Sequence, residues 1–109
     1  MPHIRFKALK SDQVAKLSQS LPEPLAKAMA TDPDNFTFEY LPYQFFEKGQ
    51  AVSSYPFVEV LWFARAQSVQ DESAQIITQA IKALGDYNDV VVTFTVISRS
   101  DYYENGVRF

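Results

Sequence analysis

Cysteine is absent from this chain and histidine occurs once. Without a thiol there is no disulfide, no thiolate metal ligand and no cysteine nucleophile. A single imidazole, that of His3, leaves a histidine-built metal centre or a Ser-His-Asp triad without its parts. No apolar run is long enough to cross a bilayer, and the stretch from Met1 to Lys10 lacks the apolar core of a signal peptide, so a cytoplasmic protein with no membrane partner is expected. Neither sign of charge forms a block, and a formal net charge of −3 offers nucleic acid no basic surface.

What is present is aromatic. The 109 residues include nine Phe and six Tyr, a share of 15% with Trp counted, within an ordinary hydrophobic content of 47%. That length is one domain, residues 1–109, with room for a single core in which those rings must pack.

The chain opens on Met1-Pro2-His3-Ile4-Arg5-Phe6. From His3 to Ala8 the pattern alternates, Ile4, Phe6 and Ala8 on one side and His3, Arg5 and Lys7 on the other, which predicts a half-buried strand headed by proline. If Met1 is cleaved, Pro2 carries a free secondary amine. An α-amino group titrates near pH 8 (about 8) before its surroundings act, and desolvation or a neighbouring cation lowers that, so such an amine can stand neutral and accept a proton from carbon. The plain alternative is that a strand head tolerates proline because it needs no donor there.

Ser11 is the expected N-cap of a helix with Asp12 in its first turn, and Val14, Leu17, Leu21, Leu25 and Ala28 give the apolar stripe. Pro22 and Pro24 predict a kink or short break between Ser20 and Glu23. Turn-forming residues from Thr31 to Asn35 end that element. A strand should follow from Phe36 to about Leu41, with Pro42 marking an edge, a bulge or its end, and turns at Glu47–Gln50 and Ser53–Pro56. Phe57–Phe63 is nearly continuous apolar sequence, the pattern of a strand covered on both faces. Ser68-Val69-Gln70-Asp71 reads as a capping box for a second helix, buried through Ile77, Ala80, Ile81 and Leu84 and stopped by Gly85. Val90–Ile97 is a fourth strand, and Asn105-Gly106 a tight hairpin turn.

The order β-α-β-β-α-β predicts an α+β fold: a two-layer sandwich with both helices on one face of a four-stranded mixed sheet. The third and fourth strands carry apolar residues on their other side as well, so further copies of the chain are expected to cover that face.

Pro2 at the head of strand one, the doubled βαβ order, and a third strand running into Ala64-Arg65-Ala66-Gln67-Ser68-Val69-Gln70-Asp71 together resemble the tautomerase superfamily, which includes macrophage migration inhibitory factor and 4-oxalocrotonate tautomerase. The likeness is nearest to small bacterial members that begin Met-Pro-His. It implies a homotrimer with sheets inward, no metal or organic cofactor, and an N-terminal proline, here Pro2, as the base for keto-enol proton transfer on a small 2-oxo or 2-hydroxydienoic acid. Arg65, where members of the superfamily have Gly-Arg-Ser and this chain has Ala-Arg-Ala, is implied to hold the substrate carboxylate, a role that suits a planar bidentate donor. Otherwise it is a solvated loop residue or half of an intersubunit ion pair. Tyr103, with Tyr102 beside it, stands where a neighbouring subunit's tyrosine closes the pocket in some members, and a phenol there can donate to an enolate oxygen. Phe109, Phe45 and Phe46 are candidate apolar walls. His3 is a candidate at the pocket mouth, and Glu39 a candidate acid for decarboxylase or dehalogenase chemistry on the same scaffold. Against all of these stands a non-catalytic oligomer whose pocket binds a small ligand or a partner.

Overall fold

Strand β1 (His3–Lys7) is the hub of the sheet in a computed structural model that describes residues 1–109. It pairs in parallel with β2 (Thr37–Leu41) and antiparallel with a strand from Phe57 to Trp62. Between these lies a hairpin, β3 (Phe45–Glu47) and β4 (Gln50–Val52), so the Phe57–Trp62 strand is β5; it pairs in parallel with β6 (Val91–Val96). The sheet order is therefore β2-β1-β5-β6. A terminal hairpin, β7 (Tyr103–Glu104) and β8 (Val107–Arg108), turns at Asn105-Gly106 as its sequence predicts.

The two halves repeat each other. His3 faces Thr37 as Phe57 faces Val91, and the amide of Thr37 donates to the Pro2 carbonyl at 3.1 Å as that of Val91 donates to the Pro56 carbonyl at 3.0 Å. Both proline rings are fully buried. Pro2 and Pro56 are thus counterparts, each at the head of a central strand.

The first helical segment is broken rather than kinked, into α1 (Ser11–Ser20) and α2 (Pro22–Met29), which meet at Leu21. Leu21 keeps its bond to the Leu17 carbonyl and accepts from Leu25, but Pro22 and Pro24 have no N–H to continue the ladder. The break shifts the buried stripe: Leu25, Ala26 and Met29 are buried, and the expected Ala28 is only half-buried. Lys10 rather than Ser11 is the cap residue, its amide donating to the Gln13 side chain at 2.9 Å. The helix α3 (Gln67–Lys82) starts at Ala66 without any side-chain cap; the expected capping box fails because Ser68 lies already inside the first turn, and Asp71 accepts instead from Gln67 at 2.9 Å.

Alternation sends Ile4, Phe6, Val58, Val60 and Trp62 to the helix side, where they join Val14, Leu17, Leu21, Leu25, Ile77 and Ile81 in one core. Complete burial of a side chain of this size contributes about 1.5–3 kcal/mol. The other sheet face differs from expectation. On β5 Glu59 stands between Phe57 and Leu61, and β6 presents Thr93 and Thr95, so this face mixes charge with apolar residues instead of being apolar throughout. The reason is β1, whose Arg5 is registered between Glu39 and Glu59.

Candidate active site

Three chain segments converge at the end of the sheet where β1 begins and β5 stops. Phe63 and Arg65 leave β5, Arg99 sits on a single 3-10 turn (Arg99–Asp101) after β6, and the terminal hairpin supplies Tyr102, Glu104 and Phe109. With Met1, Thr31 and Asn35 on the opposite side they surround a cleft of about 250 Å³. Its floor is aromatic: Phe63 stacks on Phe109 with centroids 5.3 Å apart, and Tyr102 meets both rings edge-on. The hairpin is tied there by the Phe109 amide, which donates to the Tyr102 carbonyl at 2.9 Å.

Two cations face this floor. Arg65 donates to the Phe63 carbonyl at 3.0 Å and lies 5.1 Å over the ring of Trp62; Arg99 lies 4.5 Å over Phe63. Neither makes an ion pair with a carboxylate, whereas Arg5 and Lys7 both do. Burial, and then the charge of Arg99, push the Arg65 guanidinium below its usual range, although it remains a cation. A cleft with two unanswered guanidiniums and an aromatic floor suits a small, flat anion.

Pro2 lies directly behind Met1, its ring fully buried, and the Met1 amino group donates to the Asn35 carbonyl at 3.3 Å. With Met1 in place the Pro2 nitrogen is an amide and has no basicity. Phe109 is on the cleft wall with Arg65. Tyr103 is not: it is 61% exposed, and Tyr102 takes the cleft position in the same chain. His3 and Glu39 stand together on the open sheet face instead, His3 Nε2 at 2.8 Å from a Glu39 oxygen that also accepts from Arg5 Nε at 3.0 Å. The His3 hydrogen bond, followed by the charges of Arg5 and His3, holds the Glu39 carboxyl below its ordinary value against a partial desolvation. Phe45 and Phe46 lie on the β3–β4 hairpin, away from the cleft lining.

Arg99 is the cleft cation that sequence reading passes over, and Tyr102, named there only beside Tyr103, is the tyrosine on the cleft. Counting back from Asn105-Gly106 places Tyr102 and Glu104 on the same side of the hairpin, which was the available signal; nothing in the sequence marks Arg99, because only the 3-10 turn brings it round. No group of three or more His, Asp or Glu side chains is gathered as a metal site. No helix is long and apolar enough to cross a membrane.

The doubled βαβ sheet, with a buried proline heading each central strand, has a tautomerase-like fold. It is similar to a fused 4-OT wild-type asymmetric trimer, with 16% identity over 96% of this chain and 94% of that one and a TM-score of 0.81. Within that class the chain belongs to the family described as Domain of unknown function (DUF1904), whose model matches residues 1–108. It is similar to a DUF1904 domain from Sebaldella termitidis ATCC 33386, 34% identical over 100% of both chains with a TM-score of 0.93. It is also similar to a protein of unknown function from Vibrio cholerae O1 biovar eltor str. N16961, 39% identical over 99% of this chain and 87% of that one, with a TM-score of 0.85. No curated protein matches the chain at a significant level.

Proposed function

We propose that this protein is a cofactor-independent tautomerase that moves a proton α to the carbonyl of a small 2-oxo or 2-hydroxydienoic acid. The observation that carries the reading is that Met1, the residue directly before the buried Pro2, lines the cleft that holds Arg65. Once Met1 is removed, Pro2 offers a secondary amine in a desolvated place near two guanidiniums, and both influences favour its neutral, basic form. Arg65 receives the carboxylate and polarises the adjacent carbonyl as the enolate forms; Tyr102 is the phenol placed to donate to it, and Phe63 and Phe109 hold the flat carbon skeleton. Pro2 then returns the proton. The open sheet face, with Phe57 and Leu61 among its charges, is the surface on which copies of the chain assemble as a homotrimer, where Tyr103 of one copy reaches another. The relatives described as trimers share the fold that exposes this face.

The test is enol-to-keto conversion of phenylpyruvate by protein whose loss of Met1 has been verified by intact mass. Pro2→Ala is expected to lower the rate by about 100-fold or more, the usual worth of a positioned general base. Full activity in Pro2→Ala sinks the reading. A second reading is favoured by the contact between Met1 and Asn35: if the natural protein retains Met1, the cleft serves to bind a ligand and carries no proline chemistry.

A further inference from the structure

The proposed reaction uses one guanidinium, and the cleft has two. A single carboxylate is satisfied by the fork of Arg65, which leaves Arg99 beside it without an anion. Both arginines lie against rings, Arg65 over Trp62 at 5.1 Å and Arg99 over Phe63 at 4.5 Å and Phe109 at 5.5 Å. Stacking restricts each guanidinium to one plane, and the N–H edges remain available apart from the one Arg65 gives to the Phe63 carbonyl. On the open sheet face the chain answers its cations: Lys7 meets Glu59 at 2.7 Å and Arg5 meets Glu39 at 3.0 Å. The one acid on the cleft, Glu104, pairs with neither arginine.

We propose that Arg65 and Arg99 together form a site for a dianionic phosphoryl or phosphonyl group, carried on a flat or aromatic body that lies against Phe63 and Phe109. A tetrahedral dianion presents three acceptor oxygens at one end and can face two forks at once, so it answers both charges where a monocarboxylate answers one. Such a ligand competes with the carboxylate of the proposed reaction for Arg65. The site needs only the arginines and the aromatic floor, so it stands whether or not Pro2 is a base.

Trp62 is the only tryptophan and lies under Arg65, so its emission reports occupation of the cleft. The experiment compares phenylphosphonate, benzoate and terephthalate at pH 8, by Trp62 fluorescence and by calorimetry, on protein with and without Met1. Phenylphosphonate is expected to bind at least about tenfold more tightly than benzoate, the worth of a second charge-assisted contact. Arg99→Gln should remove that advantage by lowering phenylphosphonate affinity at least about tenfold more than benzoate affinity, and circular dichroism confirms the fold of the variant. Equal binding of phenylphosphonate and benzoate overturns the proposal. Preference for terephthalate, whose charges sit at opposite ends of the ring, also overturns it, because the two arginines would then be serving separate groups. Phenylphosphonate binding in protein devoid of keto-enol activity upholds the site and refutes only the tautomerase reading.

Discussion

The two ends of the sheet are built on the same backbone and filled in opposite ways. At one end Pro2 heads β1, and Met1 before it lines an open cleft with Arg65, Arg99, Tyr102 and Phe109. At the other its counterpart Pro56 heads β5, equally buried, but the chain runs on through Tyr55; a cleft of about 220 Å³ beside Pro56 is lined by Asp86, Asn88 and Asp89 without a cation, and rings fill the side toward Phe57. Phe45 meets Tyr43 edge-on at 4.8 Å and Tyr55 at 5.0 Å, and Tyr55 leans on Phe57 at 6.5 Å. Lys7, the cation of this end, lies over Tyr43 and Phe57 and is neutralised by Glu59 at 2.7 Å. A duplicated fold thus supplies two equivalent positions, and side chains alone decide that one is surrounded by acids and rings while the other has a cleft with two unpaired arginines. The two arginines differ from the chain's other unpaired cations in lying on a cleft against aromatic rings, which is what the proposed site rests on.

Replacing Trp62, which joins the open end to the core, should have the largest effect. It is fully buried and tilted against Phe94 at 4.7 Å, so Trp62→Ala is expected to cost about 3–5 kcal/mol in urea unfolding. A loss below about 1 kcal/mol would mean that Arg65 rests on something other than a rigid ring.

A smaller contrast separates the two cations. Lys7→Gln at the filled end breaks a partly buried ion pair and should cost up to about 1 kcal/mol. Arg65→Gln at the open end should cost less, because relief from the neighbouring Arg99 offsets the lost stack on Trp62, although it should weaken binding of carboxylates. Equal losses of stability would erase the distinction between the ends.

The mildest effect belongs to the open sheet face. Because Glu39 is held below its ordinary value of 4.5, its carboxylate stabilises the fold at pH above that value, and the contribution fades as pH falls through the lower folded value. Thermal unfolding across acid pH should therefore show a flatter decline in Glu39→Gln than in the parent protein. An unchanged slope would show that the His3-Glu39-Arg5 cluster is not coupled to folding.

Much of this arrangement was legible from residue order, and the omissions have physical causes. Alternation in His3–Lys7 and the apolar run at Phe57–Trp62 fix the central pair, and the prolines at 22 and 24 fix where the first helix breaks. The β3–β4 hairpin is harder to read, because strands of three residues around Lys48-Gly49 are too short to display a period. Arg65 and Phe109 are placed by strand ends and stand where sequence puts them. Arg99 is placed by a 3-10 turn, and within one chain Tyr102 lies on the cleft while Tyr103 does not, because neighbouring residues of an extended strand point to opposite sides. Position along the chain was informative wherever one element fixes it, and failed wherever two irregular segments must meet.

The most direct measurement is a nitrogen-15 NMR titration of protein labelled at proline, with Met1 removed. The account predicts that Pro2, unlike Pro56, titrates, with a midpoint below the usual α-amino value of about 8, and that Arg65→Gln with Arg99→Gln raises it. A Pro2 nitrogen that titrates at or above that value, indifferent to both arginines, would contradict it.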